Sequence, residues 1–235
     1  AWGSTSVNLG AVRVGAASPT ASLALSNQAT TAPQAALNAS IASNGAPVTA
    51  SGSVSLLAPG ASSNALTVGL NTAVAGNYTG GNAGSATVQL VSDASNVGGG
   101  APNCQLTLAP QVISVAGKVY NPAVGQLDIP LLDFGIVRVG DTVSANNIVV
   151  KNVATASALD DTLRAGLAGL AGPFTGGGAA AGIGAGGSGQ ITVGLSTTSA
   201  GIHSQTGSVQ FLSQNADMAD ASAGADAAVL VKAQI

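Results

Sequence analysis

The sequence predicts an all-β fold built as two tandem antiparallel β-sandwiches. Three observations carry that prediction: a motif recurs at fixed spacing, apolar residues alternate with period two, and helix-favouring surface residues are scarce. Gly10-Ala-Val-Arg-Val-Gly15 returns as Gly135-Ile-Val-Arg-Val-Gly140. Leu66-Thr-Val-Gly-Leu-Asn-Thr-Ala-Val-Ala-Gly76 returns as Ile191-Thr-Val-Gly-Leu-Ser-Thr-Thr-Ser-Ala-Gly201. Both pairs lie 125 positions apart, so the chain between the motifs has the same length in each copy. One fold unit therefore occurs twice.

Taken in chain order, Val12 and Val14 face one way and Arg13 the other, as do Val137, Val139 and Arg138. Leu23 and Leu25 match Ile148 and Val150. Leu66, Val68 and Leu70 match Ile191, Val193 and Leu195, with Thr67 and Thr192 on the opposite face. Val88 and Leu90 match Val209 and Phe211 at an offset of 121, so a turn is shorter in the second copy. One apolar and one polar face per strand marks an antiparallel sheet buried on a single side. Two such sheets must cover each other, giving a sandwich of roughly seven strands. At about 110–120 residues, each copy has the size of an immunoglobulin-like domain. The expected domains are residues 1–119 and 126–235, with 120–125 as a linker that Pro122 stiffens. The Ala/Gly-rich tract 165–189, broken by Pro173 and many glycines, reads as loop.

Composition narrows the function classes. Only 6% of the 235 residues are charged; Glu is absent, and nine Asp face six Lys and Arg. A net charge of −3 without a basic patch, and with few aromatic residues, gives no footing for nucleic-acid binding. No run of 18 or more apolar residues suits a membrane span. The first residue is Ala1, with no basic and apolar leader before it, which is what signal cleavage or trimming would leave. Few charges and a single Cys fit an exported bacterial surface protein.

Catalysis needs converging acids, bases or nucleophiles. His203, the single His, falls two residues after Gly201, where the first copy has Tyr78 after Gly76. A position that takes either ring reads as a packing or corner position. Asp160-Asp161 are adjacent and read as solvated; Asp217, Asp220 and Asp226 form a sparse acidic loop that is a weak metal candidate. No catalytic or cofactor-binding residue is expected. Arg13 and Arg138 occupy one position in both copies and read as surface or sheet-edge hydrogen-bonding groups. The glycine clusters 98–100, 176–178 and 182–189 open no helix and precede no Lys-Ser/Thr, so they are not phosphate loops. Asn38-Ala-Ser and Asn77-Tyr-Thr match the glycosylation sequon as chance would allow in so Asn- and Ser-rich a chain. Cys104 is a lone thiol after Pro102-Asn103, available at most for an intermolecular bond.

Leu132-Asp-Phe-Gly-Ile-Val-Arg-Val-Gly-Asp-Thr142, followed by Ile148-Val-Val-Lys-Asn152, resembles the opening of bacterial choice-of-anchor D repeats. These are Ig-like domains of the ASPM/SPD-2/Hydin type. Their later part runs strand, Ala-Gly turn, strand; here Leu66–Leu70, Ala75-Gly76 and Ser85–Val91 follow that order. The resemblance implies spacers, stalks or adhesive units of exported proteins, and it implies no catalytic residue. The expected protein is a non-enzymatic extracellular structural module. Its expected partners are other copies of itself, through β-edge or end-to-end contacts, because uncharged edge strands are open to pairing. A module for carbohydrate or host surfaces, with surface glycans as ligand, is the alternative, and Trp2, Tyr78 and Tyr120 are too dispersed to favour it.

Overall fold

The computed structural model describes residues 5–78, 84–95, 97 and 104–235, and among them there is no helix. The chain divides into two compact units, Ala1–Tyr120 and Asn121–Ile235. The first contains β1 (Ser6–Arg13), β2 (Thr20–Ser26), β3 (Ala36–Ser43), β4 (Val48–Ser51), β5 (Ser53–Leu57), β6 (Ser62–Leu70), β7 (Gly76–Tyr78), β8 (Ser85–Asp93) and β9 (Gln105–Tyr120). One sheet runs β1-β9-β8-β3-β5, with β7 also on β9; the facing sheet is β2-β6-β4.

The second unit contains β10 (Gly125–Leu127), β11 (Leu131–Ile136), β12 (Asn146–Asn152), β13 (Thr162–Ala168), β14 (Phe174–Gly176), β15 (Gly178–Ile183), β16 (Ser188–Leu195), β17 (Ile202–Gln214), β18 (Ala221–Ser222) and β19 (Ala227–Gln234). Its sheets are β11-β19-β17-β13-β15, with β18 on β17, and β10-β12-β16-β14. The order repeats that of the first unit, and among the described residues β10 beside β12 has no counterpart there. In both units the opening strand of the larger sheet lies parallel to the last one, β1 on β9 and β11 on β19, and the other pairings between named strands are antiparallel. Each unit is an Ig-like β-sandwich.

The alternating residues build the two cores. Leu66, Val68, Val88 and Ile113 fill one, together with Leu23 and Leu25. Ile191, Val193, Val209 and Phe211 fill the other, together with Ile148 and Val150. Burial of a Val or Leu side chain contributes about 1.5–3 kcal/mol, so the matched rows are what holds each sandwich closed.

Three expectations change. The 120–125 segment is not a free linker: Tyr120 ends β9, while Ala123 is buried in the second core and its N–H donates to Ser213 Oγ at 2.8 Å. The 165–189 tract is largely strand, because small side chains suit a place where facing sheets approach closely. A Cβ on Gly189 would stand 2.6 Å from Ile183 Cδ1 and 3.0 Å from Ala180 Cβ. Finally, Val14, Val139 and Arg138 lie beyond the strand ends, in turns, and Val139 is 56% exposed.

Candidate functional site

The recurring Gly-x-x-Arg-Val-Gly motif builds a bulge and a turn. Gly10 N–H donates to Asn8 Oδ1 at 3.0 Å, and Gly135 N–H to Asp133 Oδ1 at 2.9 Å. Both glycines have positive φ (75° and 72°), and the pairing of β1 and of β11 shifts register there. Arg13 and Arg138 then open a tight turn in which the residue three positions on donates back to the arginine carbonyl, Ala16 and Asp141 respectively, each at 3.1 Å. Gly15 (φ 80°) and Gly140 (φ 85°) sit third in these turns, the position that requires positive φ. Thr72 and Thr197, both buried, latch them: each hydroxyl donates at 2.7 Å to a turn carbonyl, that of Ala16 and Asp141. The two arginines thus mark a structural corner.

Tyr78 and His203 close equivalent turns. Tyr78 Oη donates to the Val74 carbonyl at 3.1 Å, and His203 Nε2 lies 3.3 Å from the Ser199 carbonyl. Each ring lies against the glycine two residues before it; a Cβ on Gly76 would stand 2.6 Å from Tyr78 Cζ, and one on Gly201 3.3 Å from His203 Nε2. Beside His203 a shallow cavity of about 270 Å³ collects Asp133, Lys232 and Ser204 under exposed Ile136 and Ile202. Asp133, Lys232 and His203 are already engaged there. Asp133 takes the Gly135 amide and pairs with Lys232 at 3.0 Å; the amide first and the ammonium second hold its carboxyl below the usual range.

The acidic residues separate by role. Asp217, Asp220 and Asp226 are exposed; Asp220 accepts from Gln214 Nε2 at 2.7 Å, and Asp217 N–H donates to Asn215 Oδ1 at 2.9 Å. Among the described residues no three His, Cys, Asp or Glu side chains gather as a metal set. The expectation that Asp160-Asp161 are solvated is overturned for Asp161, which is 1% exposed and accepts from Ser213 Oγ and Asn215 Nδ2, each at 2.7 Å. Asp161 immediately precedes β13, and its carboxylate turns inward onto Ser213 and Asn215. Asp160 is partly desolvated, which raises its pKa, but the Ser157 amide and hydroxyl and the Asn121 amide outweigh that and lower it.

Sequence reading also missed Asp93, buried between Asn38 Nδ2 and Gln105 Nε2, both at 2.8 Å. Hydrogen bonds from Ser95 foremost, and from Gln105 and Asn38, lower its pKa to about 2. Asn38 is wholly engaged: its Oδ1 accepts the Leu56 amide at 2.6 Å. The other sequon ends on Thr79, and Pro102, Asn103, Trp2 and 98–100 likewise lie outside the described residues. Cys104 lies half-buried just before β9, where its carbonyl accepts the Ala94 amide at 2.9 Å. One signal could have found the latches: Thr72 and Thr197, like Asn27 and Asn152, keep the offset of 125.

No family model matches the chain, and no curated protein matches it. Solved structures similar to it include the PapD-like domain 7 of human CEP192 (11% identity, 47% of this chain and 83% of that one, TM-score 0.36). A Porphyromonas gingivalis W83 protein of unknown function is similar over 100% of this chain and 99% of its own (12% identity, TM-score 0.36). Mouse cadherin-23 EC22-24 is similar over 99% of this chain and 64% of its own (13% identity, TM-score 0.42). No helix of the described residues is long and apolar enough to cross a membrane.

Proposed function

We propose that the chain is a non-enzymatic structural module of the bacterial cell surface, a tandem Ig-like spacer that associates with other copies of itself. The observation that carries this is the chemistry of the sheet edges. Among the described residues the edge strands β4, β5, β10, β14 and β15 contain no charged residue, whereas the edges β1 and β11 carry Arg13 and Asp133. Natural sandwiches blunt such edges with Lys or inward charges, and an unblunted edge offers its N–H and C=O groups to another strand. Exposed Ile136 and Ile202 (80% and 84%) add apolar contact area on the second unit. A net charge of −3 over 235 residues leaves weak repulsion between copies. The choice-of-anchor D resemblance of 132–152 supports an exported, surface-attached setting, and the engaged state of Asp133, Lys232 and His203 supports a scaffold rather than an enzyme. Static light scattering across a concentration series at neutral pH, with negative-stain microscopy, tests the reading. Mass that rises with concentration and yields regular strings or layers is expected. A monomer at all concentrations would rule out self-association.

A further inference from the structure

The larger sheets of the two units share a register but differ in the chemistry of their outer face. In the first, Ser6 pairs with Ser114, Asn8 with Ala116, and Ala11 with Lys118, which also pairs with Asn77. In the second, Leu131 pairs with Leu230, Asp133 with Lys232, and Ile136 with Gln234, which also pairs with Ile202. Position for position, this face is polar or small in the first unit. In the second it carries four large aliphatic side chains, Leu131, Leu230, Ile136 and Ile202, all exposed. The bulge at Gly135 turns Ile136 outward, since strict alternation from Asp133 would turn it inward. Exposed aliphatic residues gathered on one face and flanked by polar groups mark a contact surface rather than ordinary surface scatter.

We infer that the β11-β19-β17 face of the second unit pairs with the same face of a second copy of this chain, an inference that rests on the self-association proposed above and names its surface. The charges select that occupant. Asp133 and Lys232, paired at 3.0 Å, lie between the Leu131–Leu230 end of the face and the Ile136–Ile202 end. A two-fold axis along the strands, between β11 and β19, sets Asp133 of each copy over Lys232 of the other. The same operation sets Leu131 over Leu230 and Ile136 beside Ile202. An acidic or a basic partner would match one of the two charges and repel the other. The first unit's face, with Ser and Asn at the matching positions, offers no such complement, so second unit meets second unit. A two-fold contact closes on itself, so this face alone makes dimers, and strings need an edge contact in addition. Three strands and the 6 residues of β11 give a face of roughly 15 Å by 20 Å. A standard interface covers about 800 Å² per partner, so this pairing is weak and reversible.

Sedimentation velocity of the full chain across a concentration series tests the assignment. Ile136→Ala with Ile202→Asn installs the first unit's residues at two exposed positions, so the fold should survive, and circular dichroism checks that it does. The wild type should pass from monomer to dimer as concentration rises, and the double variant should need about tenfold more protein for that step. Val74→Ser, which installs the second copy's residue at an exposed position of the first unit, should associate as the wild type does. Lys232→Asp should weaken the step several-fold, because it sets acid over acid. A folded double variant that dimerises like the wild type overturns this inference and leaves edge pairing standing. So does a loss in Val74→Ser equal to that of the double variant, or dimerisation unchanged by Lys232→Asp. A wild type that stays monomeric throughout overturns both this inference and self-association.

Discussion

At the scale of single residues, each unit is held by a few buried polar groups that satisfy backbone where a strand ends. Asn27 Nδ2 donates to the Ala35 and Leu57 carbonyls at 3.0 Å, and Asn152 Nδ2 to the Ile183 carbonyl at 3.1 Å. Removing such a donor strands a buried carbonyl, at a cost of about 1–3 kcal/mol. Thr72→Val and Thr197→Val should each lower stability by about 1 kcal/mol in urea unfolding, for loss of one buried hydrogen bond. Leu56 is the non-glycine with positive φ (49°) among the described residues, at the position where the second copy has Gly182 (φ 70°). An L-residue in that region costs about 1–2 kcal/mol, part of which glycine returns as backbone entropy. Leu56→Gly should therefore stabilise by up to about 1 kcal/mol, since the 50% exposed side chain gives up little burial.

Asp93 makes stability depend on pH. Its folded pKa, near 2, lies below the unfolded value of about 3.9. The unfolded state therefore binds its proton first as pH falls. The contribution is complete above about pH 5 and is lost as pH drops towards about 2. Asp133 and Asp160, whose pKa values are also lowered, add losses of the same sign. Urea midpoints should fall between these pH values, and Asp93→Asn should flatten part of that fall.

At the scale of elements, what the sequence made legible follows from how strongly a residue type constrains its place. Val and Leu at alternate positions fixed β2, β6, β8 and their repeats, because a slip of one residue would expose every apolar side chain. The stretch around Ala165 to Gly189 was not legible. Alternation of Ala with Gly carries little hydrophobic contrast, and its strand character comes from the approach of the facing sheet. Asp161 was hidden for a related reason, since its inward turn depends on Ser213 and Asn215, far along the chain. Packing at β10 gives a direct test. A Cβ on Gly125 would stand 2.3 Å from Phe211 Cγ. Gly125→Ala should cost about 1–3 kcal/mol by overpacking, and Phe211→Leu, the residue of the first copy, should recover part of that loss.

For the whole molecule, the account rests on duplication: one sandwich plan, with the same bulge, latch and ring-on-glycine turn, executed twice with separate cores. The chain is short of charge, and among the described residues Asp93, Asp133, Asp161 and His203 are held in hydrogen bonds, which is why the proposed function turns to the edges and the exposed apolar residues. Those features depend on both sandwiches being formed. Backbone amide hydrogen exchange by NMR on the full chain tests this most directly. Matched amides should be among the slowest in each unit: Val68 with Val193, Val88 with Val209, and Val115 with Val231. Strong protection confined to one unit, or slow amides that do not correspond across the repeat, would contradict the duplicated sandwich.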